Sequence, residues 1–184
     1  MTVLRPGPAR GKAVALLACA VAGLAALVLP ATLRLPVRVV YNPSDSVPRG
    51  WYRIDTASSL HVGDMVLTGL PEAAAALAAQ RDYLPAGVPL LKPVAAVAPQ
   101  HVCGDGATVS VEGRPTVNTL AADSRGRSLP AWRQCRRLLD GEVFLLSTSH
   151  PVSFDSRYFG PVATSAVIGV ARPVWTFGTA RRSP

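Results

Sequence analysis

Apolar and charged residues divide the chain into one long apolar run near its start and many short apolar stretches after it. The long run covers residues 13–33, which are 21 positions without a charged side chain. As a helix rising about 1.5 Å per residue, it would cross the hydrocarbon core of a bilayer, which is about 30 Å thick. After Arg38, charged residues interrupt every apolar stretch. The pattern therefore predicts one transmembrane anchor at 13–33, followed by a soluble domain at 34–184.

The soluble domain alternates short runs rich in β-branched and aromatic residues with proline and glycine, of which the chain has 17 and 15. This alternation predicts a mainly β domain. The predicted strands are 37–41, 51–54, 65–68, 90–97, 108–111, 114–117, 141–146 and 166–174. One short helix is predicted at 71–81, because Pro71 suits a first helical turn and the alanines after it favour helix.

The formal net charge of +8 belongs mainly to the flanks of the predicted anchor. Residues 1–38 carry five basic and no acidic side chains, and the rest of the chain carries 14 basic and 11 acidic ones. The soluble domain therefore contributes only +3, which argues against a nucleic-acid partner. Because basic residues precede and follow the anchor, the charges do not fix its orientation.

Two other interpretations of the apolar run stay open. Small residues near Pro30 and Ala31 would suit a cleavable signal peptide. Cys19 would suit a lipoprotein signal, although only residues 13–17 would then form the apolar stretch before it. The length of the run favours an uncleaved anchor.

Cys103 and Cys135 are the only cysteines of the soluble domain, and we predict that they form a disulfide. Such a bond belongs outside the cytoplasm, so residues 1–12 are expected to be cytoplasmic and 34–184 extracytoplasmic. Two buried free thiols remain the alternative. A metal site at His101 and Cys103 is disfavoured, because no four-ligand spacing occurs, and neither a metal nor a cofactor is expected. The irregular segment 118–140 is interpreted as a long excursion fixed by Cys135.

Ser46 lies in the stretch that follows the first predicted strand, between two prolines and shortly before a glycine. By spacing alone it could be an ordinary turn residue. As a nucleophile it needs a base, and His61, His101 and His150 have no diagnostic surroundings. His150 with Asp155 could still imitate two members of a catalytic triad.

Lys92 is the alternative base. It is one of two lysines in the chain, and Lys12 precedes the anchor. Lys92 lies within the apolar stretch 88–97, where burial would destabilise the ammonium form. Lowering its pKa from about 10.4 to about 7 to 8 requires some 3 to 4 kcal/mol, which burial can provide. A neutral amine there could accept the Ser46 proton.

Three ordered blocks resemble the signatures of signal peptidase I relatives. They read Ser-Val-Pro-Arg-Gly-Trp-Tyr at 46–52, Leu-Lys-Pro-Val-Ala-Ala-Val at 91–97 and Phe-Asp-Ser-Arg-Tyr-Phe-Gly at 154–160. The form Ser-x-Pro-x-Gly-x-Tyr resembles the conjugative transfer branch of this family, called TraF. The resemblance spans about residues 42–172, and the order and spacing of the blocks make it more specific than any one block.

The resemblance implies a mainly β, signal-peptidase- or LexA-like domain and a Ser-Lys dyad, with Ser46 as nucleophile and Lys92 as base. The Ser46 N–H and the Ser44 hydroxyl would bind the oxyanion. Asp155 and Arg157 would support the lysine region, although a purely structural ion pair is an equal alternative.

By the same resemblance, the substrates would be exported precursors, such as pilin or other conjugative transfer components, cleaved at the bacterial inner membrane by a periplasmic domain. Two departures from the family pattern occur. Residues 98–101 replace the usual Pro-Gly-Asp turn, and Val47 replaces a methionine.

Two rival functions stay open. One is a self-cleaving LexA-like protein, which would need a DNA-binding module where this chain has its apolar run. The other is a non-catalytic, membrane-tethered β module that scaffolds a secretion or conjugation machine.

Overall fold

The computed structural model describes residues 8–32 and 38–177. Residues 1–7, Leu33 of the predicted anchor and Val37 of the first predicted strand lie outside the described residues. The chain forms two compact units, one ending at Pro36 and one beginning at Val37. The two units are considered separately below.

Helix α1 forms the described part of the first unit and spans Pro8–Thr32. Its stretch Gly11–Leu29 is long and apolar enough to cross a bilayer, and its side chains are not buried in the protein. In the part of the chain that the structure describes, α1 is the one helix of this kind. It fits a single-pass membrane protein, as the sequence pattern predicts.

The second unit is mainly β, and this prediction is confirmed. Its elements in chain order are β1 Val39–Asn42, β2 Arg49–Asp55, β3 Met65–Thr68, α2 Glu72–Gln80, β4 Leu90–Val97, β5 His101–Gly104, β6 Thr108–Val111, β7 Arg114–Asn118, β8 Cys135–Arg137, β9 Glu142–Leu145, α3 Ser156–Phe159, β10 Val162–Ala163 and β11 Val167–Phe177. The predicted helix at 71–81 is α2. Three of the strands, β5, β8 and β10, and the one-turn helix α3 were absent from the sequence prediction.

The strands form two antiparallel sheets. The larger sheet has seven strands in the order β1-β2-β11-β3-β4-β9-β10, and the smaller has four in the order β7-β6-β5-β8. The long strand β11 pairs with β2 on one side and with β3 on the other. Because β3 also pairs with β4, these two strands connect the first sequence block, part of which lies in β2, with the second block in β4. In β4, Lys92 pairs with Val66 of β3, which places it in the middle of the larger sheet.

The smaller sheet is fixed to the larger one by an apolar cluster and carries the predicted disulfide. The cluster contains Ala96, Val102, Val109, Trp132, Leu138, Phe144 and Leu146. Cys103 of β5 lies opposite Cys135 of β8, and the two are disulfide-bonded. The prediction that Cys135 fixes the excursion is therefore correct, although its last residues form a strand.

Gly160 ends helix α3 in a conformation that suits only glycine. Its φ is +80°, and a Cβ there would lie 2.6 Å from the Trp132 ring. Gly160 therefore lets α3 pack directly on the indole, and this contact holds the third sequence block against the rest of the domain.

Candidate active site

The turn between β1 and β2 presents Ser46, and the buried side chain of Asn42 organises this turn. The Asn42 Nδ2 donates to the carbonyl oxygen of Ser44 at 2.9 Å and to that of Val47 at 3.1 Å. The Val47 side chain packs in a cluster with Tyr52 and Ile54 of β2. The turn is thus held from both ends, so Ser46 has a defined position in spite of lying outside regular secondary structure.

The hydroxyls of Ser44 and Ser46 form a short hydrogen-bonded chain. The Ser44 Oγ donates to the Asn42 Oδ1 at 2.8 Å, and the two serine oxygens lie 3.0 Å apart. A hydroxyl has one proton to donate, so Ser46 is the donor to Ser44. The Ser46 proton is therefore directed at Ser44 in this state, and a rotation of its side chain is needed before a base can take it.

Lys92 is almost completely buried, with 2% of its surface exposed. Its Nζ donates a hydrogen bond to the Ser153 Oγ, and Ser153 is also buried. Desolvation lowers the pKa of Lys92 to about 8, with a smaller lowering by Arg157 and an opposing effect of Asp155. A substantial fraction of the amine is therefore neutral near pH 8 and able to accept a proton.

Asp155 and Arg157 form a fully buried ion pair behind the lysine. The Arg157 Nε lies 2.7 Å from one Asp155 oxygen, and an Nη lies 2.9 Å from the other. The two side chains are 0% and 1% exposed. Asp155 also caps α3, because its side chain accepts from the backbone N–H of Arg157.

Ser147, two residues after the end of β9, connects this ion pair to the turn that carries Ser46. The Asp155 carboxylate accepts from the Ser147 N–H at 3.0 Å, and Arg157 donates to the Ser147 carbonyl at 2.9 Å. The Ser147 hydroxyl in turn donates to the carbonyl oxygen of Ser46. The third sequence block is therefore connected, through Ser147, to the backbone of the candidate nucleophile.

Ser46 and Lys92 line one cleft of about 310 Å³. The other residues that line it are Ser44, Asp45, Leu70, Tyr83, Leu84, Leu90, Leu120, Asp123, Ser124, Leu129, His150, Val152, Ser153, Phe154 and Tyr158. Among the described residues, no hydrogen bond joins Ser46 directly to Lys92. Each makes a hydrogen bond with another serine instead, Ser46 with Ser44 and Lys92 with Ser153.

The structure thus brings together Ser44, Ser46 and Lys92 at one cleft and places Asp155 and Arg157 behind them. Sequence reasoning missed three supporting side chains, which are Asn42, Ser147 and Ser153. Ser153 immediately precedes the third block, and its proximity in sequence to Asp155 was the one available signal.

The triad formed by His150 and Asp155 is not present. Both oxygens of Asp155 are occupied by Arg157 and Ser147, while His150 lines the cleft elsewhere. The alternative that left Cys103 as a free thiol or ligand is also wrong, since Cys103 is in the disulfide.

Comparisons with known proteins identify the family to which the chain is similar. The family described as "Signal peptidase, peptidase S26" matches residues 12–176. The chain is 34% identical over 146 residues to the probable conjugal transfer protein TraF of Sinorhizobium fredii, covering 74% of this chain and 76% of that protein. It is 32% identical over 177 residues to a plasmid transfer protein TraF of Escherichia coli, covering 85% of this chain and 93% of that protein.

A signal peptidase I structure from Enterococcus faecalis shares 18% identity with a TM-score of 0.37, covering 62% of this chain and 98% of that one.

Proposed function

Since the chain belongs to the signal peptidase family, peptidase S26, we propose that it is a membrane-anchored serine endopeptidase that uses a Ser-Lys dyad. Ser46 is the nucleophile and Lys92 is its general base. The observation that carries this proposal is the burial of Lys92 on the cleft that Ser46 lines, with a pKa lowered to about 8. A lysine kept only for structure would gain from a carboxylate partner, whereas this one bonds to a neutral hydroxyl.

In the first half of the reaction, the neutral Lys92 amine takes the Ser46 proton while Oγ attacks the carbonyl carbon of the scissile peptide bond. The C–N bond then breaks, and the Lys92 ammonium returns that proton to the leaving amine. A water molecule, deprotonated by Lys92, hydrolyses the acyl-enzyme and restores Ser46. In this second half, Lys92 passes the proton that it took from water to the Ser46 oxygen as the acyl group leaves. Every proton therefore passes through Lys92, so one buried base serves both halves.

The negative charge of the tetrahedral intermediate would be stabilised next to Ser46. The Ser46 N–H makes no hydrogen bond within the described part of the chain, so it is free to donate to the oxyanion. The Ser44 hydroxyl lies 3.0 Å from the Ser46 oxygen and becomes a second donor when it turns away from Asn42. One such donor contributes about 3 to 4 kcal/mol of transition-state stabilisation.

The proposed substrates are exported precursor proteins of a conjugative transfer apparatus, pilin among them. The names of the TraF relatives support this class. We place the anchor at 13–33 in a bacterial inner membrane, with 1–12 in the cytoplasm and the catalytic domain, 34–184, in the periplasm. The Cys103–Cys135 disulfide supports this orientation, because such bonds persist in oxidising compartments.

Covalent labelling of Ser46 tests the proposal directly. We expect a serine acylating agent to modify Ser46, at a rate that increases about tenfold per pH unit below the Lys92 pKa and levels off above it, since only the neutral amine is a base. The inflection should fall at about 8. Mass spectrometry of the labelled peptide over a pH series gives both the site and the profile.

Ser46→Ala is the control for labelling at other hydroxyls. A non-catalytic scaffold would show no labelling of Ser46, and a solvated lysine would move the inflection above pH 10. Either result would contradict the dyad.

Replacing Ser153 by alanine should lower kcat about tenfold and leave KM nearly unchanged, because the variant loses the contact that orients the Lys92 amine. Ser153→Thr keeps a hydroxyl at this position and should recover most of the loss. Steady-state cleavage of a precursor by both variants checks this. An increase in KM at constant kcat would show instead that Ser153 contacts the substrate.

A further inference from the structure

One wall of the cleft is formed by part of the segment 118–140, for which the sequence predicted no function. Residues 119–129, here called the clasp, lie against the segment 81–84 that follows α2. Leu120, Asp123, Ser124 and Leu129 of the clasp line the same cleft as Ser46 and Lys92. Tyr83 and Leu84 of the segment 81–84 also line this cleft.

Asp123 is the centre of the contact between the clasp and Tyr83. Its carboxylate accepts from the Tyr83 hydroxyl and from the Arg127 Nε, the latter at 2.7 Å. It also accepts from the backbone N–H groups of Arg125 and Arg127, each at 2.9 Å. The Tyr83 hydroxyl and these donors hold the pKa of Asp123 well below its ordinary value, so the carboxylate stays charged.

Two reciprocal backbone contacts add to this attachment. Arg127 donates to the carbonyl oxygen of Arg81 at 3.2 Å, and Arg81 donates to that of Ser128 at 2.8 Å. The Arg127 guanidinium also lies over the Tyr83 ring, 5.5 Å from its centroid. Together these contacts fix the clasp to the segment 81–84.

The clasp brings apolar surface to the cleft. Leu120 and Leu129 line it together with Leu84 and the aromatic pair Phe154 and Tyr158, whose rings stack at 5.7 Å. The Leu120 N–H donates to the Tyr158 hydroxyl at 3.3 Å, which connects the clasp to α3 next to the ion pair. Asp123 and Arg127 attach the clasp to the segment 81–84, while Leu120 and Leu129 contribute apolar surface to the wall of the cleft.

We propose that the clasp is a specificity-determining wall of the active site, which binds one apolar side chain of the precursor against Leu120 and Leu129. Asp123 and Tyr83 are positioning residues, because they fix the clasp and with it the width of this part of the cleft. The inference rests on the proposed function, since it assigns a part of the same site to substrate selection.

Competition between peptides tests this inference. The probe is a pool of internally quenched peptides with a central Ala-Xaa-Ala sequence. In each peptide one position is varied among alanine, leucine and phenylalanine, while the other positions are kept constant. The full-length protein in detergent should prefer leucine over alanine at one position by about tenfold or more, as expected for an apolar pocket. Product analysis by mass spectrometry identifies the bond that is cut and the preferred residue.

Tyr83→Phe and Asp123→Asn should each reduce this preference to about threefold or less, since a loosened clasp no longer closes the pocket. Leu129→Ala keeps every polar contact of the clasp and should shift the preference from leucine to phenylalanine. Arg125→Ala is the matched control, because its side chain makes only an exposed contact of 3.4 Å with Asp82. It should keep the wild-type preference, and thermal unfolding shows that each variant is folded.

The outcomes separate the clasp from the proposed function. If Ser46 is acylated but no peptide shows the apolar preference, or if Tyr83→Phe and Leu129→Ala keep it unchanged, the clasp inference is wrong and the peptidase proposal stands. If Ser46 is not acylated and no peptide is cleaved, the proposed function fails and the clasp inference fails with it.

Discussion

Cleavage of a precursor should decrease at least about a thousandfold when Lys92 is replaced by methionine, and by a similar factor in Ser46→Ala. Methionine fills a volume close to that of the lysine stem but cannot accept a proton. The remaining activity would come from the oxyanion donors and substrate binding alone. Processing of a purified precursor, followed by gel or mass spectrometry, measures the loss over this range.

The Lys92→Met variant should remain folded, and this distinguishes loss of chemistry from loss of structure. Lys92 is 2% exposed, so methionine removes the cost of burying an amine and introduces only apolar surface. We therefore expect a Tm equal to or above that of the wild type. A variant that is both inactive and unfolded would indicate that Lys92 is needed for folding, and the loss of activity would then not support its role as a base.

Two further variants sharpen this prediction. The double variant of Ser46 and Lys92 should be no slower than either single variant, because the two residues act as one unit. Lys92→Arg should also be inactive, since a guanidinium is not deprotonated in proteins. Full processing by Lys92→Met, or a loss in His150→Ala as large as that in Ser46→Ala, would contradict the dyad and return attention to a histidine base.

The residues that the sequence identified are those whose chemistry is unusual for their surroundings. Lys92 was recognisable because it is a lysine within an apolar strand, and Ser46 because of the proline and glycine pattern around it. Ser147 and Ser153 carry no such signal, since serine is common in loops and their partners lie far away in the chain. Their roles depend on which strands are neighbours, and the order of the larger sheet is not encoded in any local pattern.

The elements that were missed are short or irregular in composition. Strand β8 contains two arginines, and it forms because its backbone pairs with β5 beside the disulfide. Helix α3 has only four residues, too few for a helical period. Its signals were the N-cap Asp155 and the terminal Gly160, which become meaningful once the buried ion pair fixes the segment.

Arg157→Met should destabilise the domain by about 3 to 5 kcal/mol, which is the expected cost of leaving a buried carboxylate without its partner. All five guanidinium N–H groups are used, in bonds to both Asp155 oxygens and to the carbonyls of Asn118, Pro151 and Ser147. Methionine would remove the guanidinium donors from those three carbonyls and leave the buried carboxylate without its cation, with only the backbone N–H donors of Ser147 and residue 157 remaining. Urea unfolding, followed by tryptophan fluorescence, measures the difference.

The matched control is Arg53→Met, which breaks an exposed pair with Asp55 and should leave the unfolding midpoint nearly unchanged. The double variant Asp155→Leu Arg157→Met should be less destabilised than the sum of the single variants, because it removes the unpaired charge. Since Ser147 joins the ion pair to the carbonyl of Ser46, Arg157→Met should also slow acylation of Ser46 at temperatures where it is still folded. If a folded Arg157→Met variant acylates Ser46 at the wild-type rate, the ion pair has a structural role only and does not contribute to the active site.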